Sequence, residues 1–165
     1  MLATIYMNTT LKILLIFFIL QIKLVAHICP KKLPIPDKIF LESVKNSDDA
    51  EVKYFKKYIG EFSKPKILKR HTETKEACET VQIFKNGIVY KKDECSETGS
   101  KVTITFPNYC KAELIKYIEW FFKSDWNVWN KNKTLYQPKE DRDAGCYIEL
   151  KQNKKEFYIE YYCGC

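Results

Sequence analysis

Histidine is almost missing from this chain. His27 and His71 are the only two. One stands at the start of the expected mature protein and the other in a polar connection, so a paired-histidine acid–base centre would have to fold the terminus onto that connection. The chain also lacks a Gly-x-Ser-x-Gly elbow, a phosphate-binding loop and a His-Glu-x-x-His segment, which removes the usual starting points for serine hydrolases, nucleotide-binding enzymes and zinc peptidases. Cys163-Gly164-Cys165 is a lone pair of thiols, whereas structural zinc needs two separated ligand pairs. No internal sequence repeat or low-complexity tract is visible. Glu113 and Glu119 read as the solvent face of a helix. Cys110, at that helix's start, reads as half of a disulfide before it reads as a nucleophile. No catalytic residue, metal or cofactor is therefore expected.

The sequence does carry an apolar leader and seven cysteines, at positions 29, 78, 95, 110, 146, 163 and 165. The apolar run from Ile13 to Leu20 is far shorter than the ~20 residues that a spanning helix needs. Residues 1–26 are therefore expected to be a signal peptide cut after Ala26, leaving 27–165 as a single secreted or periplasmic domain with no membrane anchor. Ile28, rather than a small residue, precedes Cys29 and speaks against a lipoprotein. Removing the leader costs Lys12 and Lys23, so the net charge falls from +7 to +5. With both signs interspersed, that supports solubility and does not by itself imply nucleic-acid binding. The densest positive stretch, Lys64, Lys66, Lys69, Arg70 and His71, reads as a solvated linker. Asn132-Lys133-Thr134 is a glycosylation acceptor if the host is eukaryotic.

Prolines at 30, 34 and 36 predict an extended entry segment. Ser47, followed by Asp48 and Asp49, predicts a capped helix with the stripe Val52, Phe55, Ile59 and Phe62, ended by Gly60. Residues 63–77 read as a polar connection. Val102, Ile104 and Phe106 alternate with Thr103 and Thr105 and predict a half-buried strand stopped by Pro107. Asn108 then caps a helix whose stripe is Leu114, Ile115, Ile118, Phe121 and Phe122.

Two hairpins complete the plan. Asn86-Gly87 predicts a type I′ turn that pairs Lys85 with Ile88, Phe84 with Val89, Ile83 with Tyr90 and finally Cys78 with Cys95. The bridge Cys78–Cys95 follows, worth roughly 3 kcal/mol. In the last hairpin the apolar face is Ile148, Leu150, Phe157, Ile159 and Tyr161. A tight turn at Asn153-Lys154 opposes Lys151 with Glu156, while a longer loop opposes Cys146 with Cys163 but also Glu149 with Glu160. The second register is preferred for the sake of a Cys146–Cys163 bridge. Seven cysteines leave one over. Cys29 is the expected free thiol or the link of a disulfide-bonded dimer, and Cys165 competes with Cys163 or reaches Cys110.

The expected fold is α+β, an antiparallel sheet of about five strands packed by two helices and stapled by disulfides. In plan alone this order resembles cystatin-like proteins and small secreted ribonuclease-like effectors. The chain has no cystatin-type Gln-Val-Gly segment, and no functional residue is carried over. The expected function is non-enzymatic binding of another macromolecule, as an inhibitor, effector or periplasmic interaction protein. Two surfaces are candidates. Trp120 interrupts a helix's polar face and joins Trp126 and Trp129, unless a further layer of the chain covers them. Tyr147, Tyr158 and Tyr162 share the outer face of the last hairpin. A protein is the expected partner. The alternative is an RNA-binding or ribonuclease-like module, which requires those tyrosines to be exposed beside a positive groove.

Overall fold

Alternation in Val102–Phe106 produces the strand around which the molecule is built. In the computed structural model, residues 29–96, 99–140, 145–153 and 156–164 are described. The chain divides between Pro30 and Lys31. The expected leader, 1–26, lies outside the described residues. From Lys31 onward the elements are α1 (Lys38–Val44), α2 (Ala50–Tyr54) running into a π-helical turn (Phe55–Ile59), β1 (Lys66–Arg70), β2 (Ala77–Ile83), β3 (Val89–Asp93), β4 (Ser100–Pro107), α3 (Lys111–Phe122), β5 (Asn127–Trp129), β6 (Leu135–Pro138), β7 (Gly145–Asn153) and β8 (Glu156–Gly164). All strands pair antiparallel in one sheet of order β1-β2-β3-β4-β8-β7-β6-β5. A helical segment followed by a four-stranded meander thus occurs twice, and the two meanders meet along β4 and β8.

The sheet therefore has eight strands rather than about five, and three short helices rather than two. The missed strands left no alternation to read. All five residues of β1 are exposed, so the basic stretch taken for a linker is an edge strand whose lysines discourage pairing with another sheet. β5 and β6 have three and four residues, too few for a period of two to show. The missed helix, α1, is capped by Asp37, whose Oδ1 accepts the Phe40 N–H at 2.7 Å. It buries Phe40 and Val44 only, while Ile39 is exposed and blurs the stripe.

One face of the sheet carries the core. Register aligns Gln82, Tyr90, Ile104, Ile159 and Leu150 in one row across five strands. Val102, Tyr161, Ile148 and Tyr136 form the next. All nine are buried, and all but Gln82 join Phe40, Val44, Tyr54, Phe55, Leu114, Tyr117 and Ile118 from the helical segments in one cluster. Phe55 and Tyr117, both with no exposed surface, stack at 5.6 Å between ring centroids. Each such ring, fully buried, contributes roughly 2–3 kcal/mol of transfer free energy. The helix stripes differ from expectation in detail. Tyr54 rather than Phe62 completes the first, with Phe62 exposed, and Tyr117 belongs to the second. Cys110, not Asn108, occupies the cap of α3. Glu113 is buried rather than on the solvent face. Its Oε2 accepts the Leu33 N–H at 3.2 Å and its Oε1 pairs with Lys116 at 2.9 Å.

The first hairpin has the expected bridge and a different register. Ile83 pairs with Val89 and Gln82 with Tyr90, one residue away from the type I′ alignment. Lys85, Asn86 and Gly87 form a three-residue loop closed by the Phe84 N–H on the Ile88 carbonyl at 2.8 Å, with φ of 64° at Asn86 and 79° at Gly87. The slip puts Phe84, Ile88 and Tyr90 together on the core side, and core burial outweighs the turn preference. The Glu94 N–H bonds the Cys78 carbonyl at 2.7 Å, so Cys95 lies one residue past the ladder, where the chain has left the strand and its thiol reaches Cys78. In the second hairpin Cys146 opposes Cys163 and the two are bonded, with Asn153 opposite Glu156 at the turn end. Cys29 and Cys110 are each disulfide-bonded as well. Cys29 is thus not the free thiol expected of it, and Cys110 is not an available nucleophile. Cys165 lies outside the described residues.

Candidate functional site

The core-side register brings an acid into the interior. α2 is only five residues long, yet its placement against the sheet buries Glu51, at 5% exposure, together with Tyr54 and Phe55. Glu51 Oε1 accepts the Tyr161 hydroxyl of β8 at 2.6 Å. Burial raises the Glu51 pKa above the usual carboxylate range, with the Tyr161 hydrogen bond working against that rise. Tyr117 is wholly buried, and its hydroxyl has no hydrogen-bond partner among the described residues. Its pKa is raised by burial and then by the nearby Glu51 charge. Burial likewise raises the phenols of Tyr90 and Tyr161.

Glu51 and Tyr161 line a cavity of about 680 Å³. Leu41 and Val44 of α1, Trp120 and Phe121 of α3, and Val102 of β4 supply apolar walls. Glu42, Lys45, Asp48, Glu94 and Lys123 also line it, all of them exposed residues. Lys92, half-buried on the sheet side, is held by Glu94 at 2.8 Å. No sequence motif marked Glu51. The signal was its i, i+3, i+4 relation to Tyr54 and Phe55, which outlines a stripe competing with Val52, Phe55, Ile59 and Phe62.

The three tryptophans have different surroundings. Trp120 is half-buried and packs against the core, its ring 6.2 Å from that of Tyr54. Trp129, on β5, packs on Tyr136 at 5.0 Å and donates its indole N–H to Glu119 Oε1 at 3.2 Å. Trp126 is 74% exposed and lines a second depression with Phe122 and Pro138.

The tyrosines lie on the sheet face opposite the core. Tyr147 and Tyr162 are directly opposed across β7 and β8, and Tyr158 opposes Lys151. Tyr162 is exposed and the other two are half-buried. Between them, Glu149 opposes Glu160, the like-charge pairing that the cysteine register entails. Lys151 resolves the conflict by ion-pairing with both carboxylates, and Lys101 of β4 pairs with Glu160 at 2.7 Å. The Lys101 and Lys151 partners lower the Glu160 pKa, while Glu149 and then Glu160 raise that of Lys151. The face is thus a neutralised ladder flanked by aromatic rings, not a positive groove.

Among the described residues, no three His, Cys, Asp or Glu side chains are grouped to hold a metal ion, and no helix is long and apolar enough to cross a membrane. The intramolecular disulfides are consistent with an oxidising compartment. No family model, no curated protein and no solved structure matches this chain.

Proposed function

We propose that this is an exported, non-enzymatic protein that binds another protein through the helix-free face of its sheet. The observation that carries the reading is the grouping of Tyr147, Tyr158 and Tyr162 around the Lys101–Glu160–Lys151–Glu149 ladder. Tyrosine presents a large, rigid ring with a polar tip at little entropic cost and is enriched in protein interfaces. Charges that already neutralise one another can be covered by a partner without leaving a lone ion desolvated. The RNA-binding alternative is disfavoured by the same ladder, since Glu149 and Glu160 occupy the place where phosphates would need cations.

The test is capture from the protein's native extracellular or periplasmic fluid by the oxidised mature chain, compared with its Tyr158→Ala/Tyr162→Ala variant. A protein retained in stoichiometric amount by the first and at least tenfold less by the second supports the reading. Equal capture by both, or tighter binding of a single-stranded oligonucleotide than of any protein, rejects it.

A further inference from the structure

We propose that the cavity between α1, α3 and the sheet binds a small organic cation, a primary amine on an aliphatic or aromatic body, with its ammonium on the Glu51 carboxyl. The cavity, at about 680 Å³, lies within the size range of small-molecule sites. Its walls and its charges are arranged unequally. Leu41, Val44, Trp120 and Phe121 supply apolar and aromatic surface, and the one buried acid lining it is Glu51. Every other acid or base on the lining is exposed except Lys92, which is engaged by Glu94.

An ammonium suits this arrangement better than the alternatives. Tyr161 is the one side-chain donor to Glu51 among the described residues, whereas a carboxylate offers about four acceptor positions. An anionic head placed there would face the Glu51 carboxyl, while the nearby Lys92 is already held by Glu94. A neutral alcohol would fill the walls but leave the acid protonated. Trp120 and Phe121 line the same cavity, and an aromatic ring within reach of an ammonium adds cation–π attraction that grows as water is excluded. The raised pKa of Glu51 fits the same picture, since a buried carboxyl that resists ionising alone gains most from a cation that ionises it. Because burial holds the Glu51 pKa above the usual carboxylate range, whatever fraction of it is protonated releases that proton to solvent on binding, and the carboxylate pairs with the incoming ammonium. Affinity therefore rises with pH until the amine itself deprotonates. The other groups that face Glu51 do not mimic this trend. The phenols of Tyr90, Tyr117 and Tyr161 titrate far above it. The Asp49 carboxyl is held below its usual range, first by Lys53.

Calorimetric titration with hexylamine, hexanoate and hexanol, between pH 5 and 8.5, tests the proposal on the oxidised protein. Saturable one-to-one binding of hexylamine is expected, at least tenfold tighter than of either control, strengthening with pH and releasing a proton. Glu51→Gln should weaken hexylamine at least tenfold and leave hexanol unchanged. Leu41→Trp fills the cavity without touching the acid and should abolish binding while the protein melts as a folded domain. Equal affinity for the three probes, absence of saturable binding, or an undiminished response in Glu51→Gln would each overturn it. None of these outcomes bears on the tyrosine face, so the two proposals fail separately.

Discussion

Glu51 of α2 and Tyr161 of β8 are 110 residues apart in sequence and joined by a 2.6 Å hydrogen bond inside the core. The bond ties the first helical segment to the last strand described, and it ties stability to pH. The folded pKa of Glu51 is raised above its unfolded value. Its contribution is therefore fully present below the ordinary glutamate pKa and is lost as pH rises through the folded value.

The melting temperature of the wild type should accordingly fall as pH rises from about 5 into the neutral range. Glu51→Gln keeps a carbonyl acceptor for Tyr161 and removes the ionisation, so it should be more stable than wild type at neutral pH, and the difference should vanish toward acid. Thermal melts at half-unit pH intervals check this. Identical slopes for wild type and variant would show that Glu51 titrates normally.

Trp120→Ala should cost roughly 3 kcal/mol of folding stability, since its ring packs on the core and against Tyr54. Trp126→Ala should stay within about 0.5 kcal/mol, given its exposure. Chemical denaturation of both variants decides whether the tryptophans act as one surface or as separate parts.

Lys151→Met leaves Glu149 and Glu160 opposed with only Lys101 beside them, and should destabilise by about 0.5–1 kcal/mol. The loss should shrink in a Glu149→Gln background. A double-mutant cycle measures that coupling, and additivity would mean that Lys151 does not screen the pair.

Asn132 is exposed in the turn between β5 and β6, where Lys111 Nζ donates to its backbone carbonyl at 2.6 Å. Secretion from a eukaryotic host should yield a glycan at Asn132 that Thr134→Ala removes, as a mass shift of the intact protein.

Much of the central sheet was legible, because Val102, Ile104 and Phe106 alternate and because Ile148, Leu150, Ile159 and Tyr161 share one parity. Both named disulfides were legible too, though the first for a partly mistaken reason: the Asn86-Gly87 turn admits two loop lengths, and only the burial of Phe84 and Ile88 against helices chooses between them. Hidden elements were those with nothing to bury. β1 is exposed along its whole length, its adjacent Ile67 and Leu68 included, and α1 rests on two side chains. Glu51 was hidden for the opposite reason. An acid in the first turn of a helix looks solvated until the register of a distant strand supplies Tyr161.

The seam between the two meanders has a consequence for synthesis. β4 has its permanent neighbour on one side in β3, but on the other it pairs Pro107 with Glu156 and Ser100 with Cys163. While the chain emerges from a ribosome or a translocon, Val102, Ile104 and Phe106 therefore wait as an open hydrophobic margin until β8 arrives. During that wait the nascent protein is most exposed to wrong partners, and oxidation of Cys78 with Cys95, both already made, is the step that can hold the first half in shape.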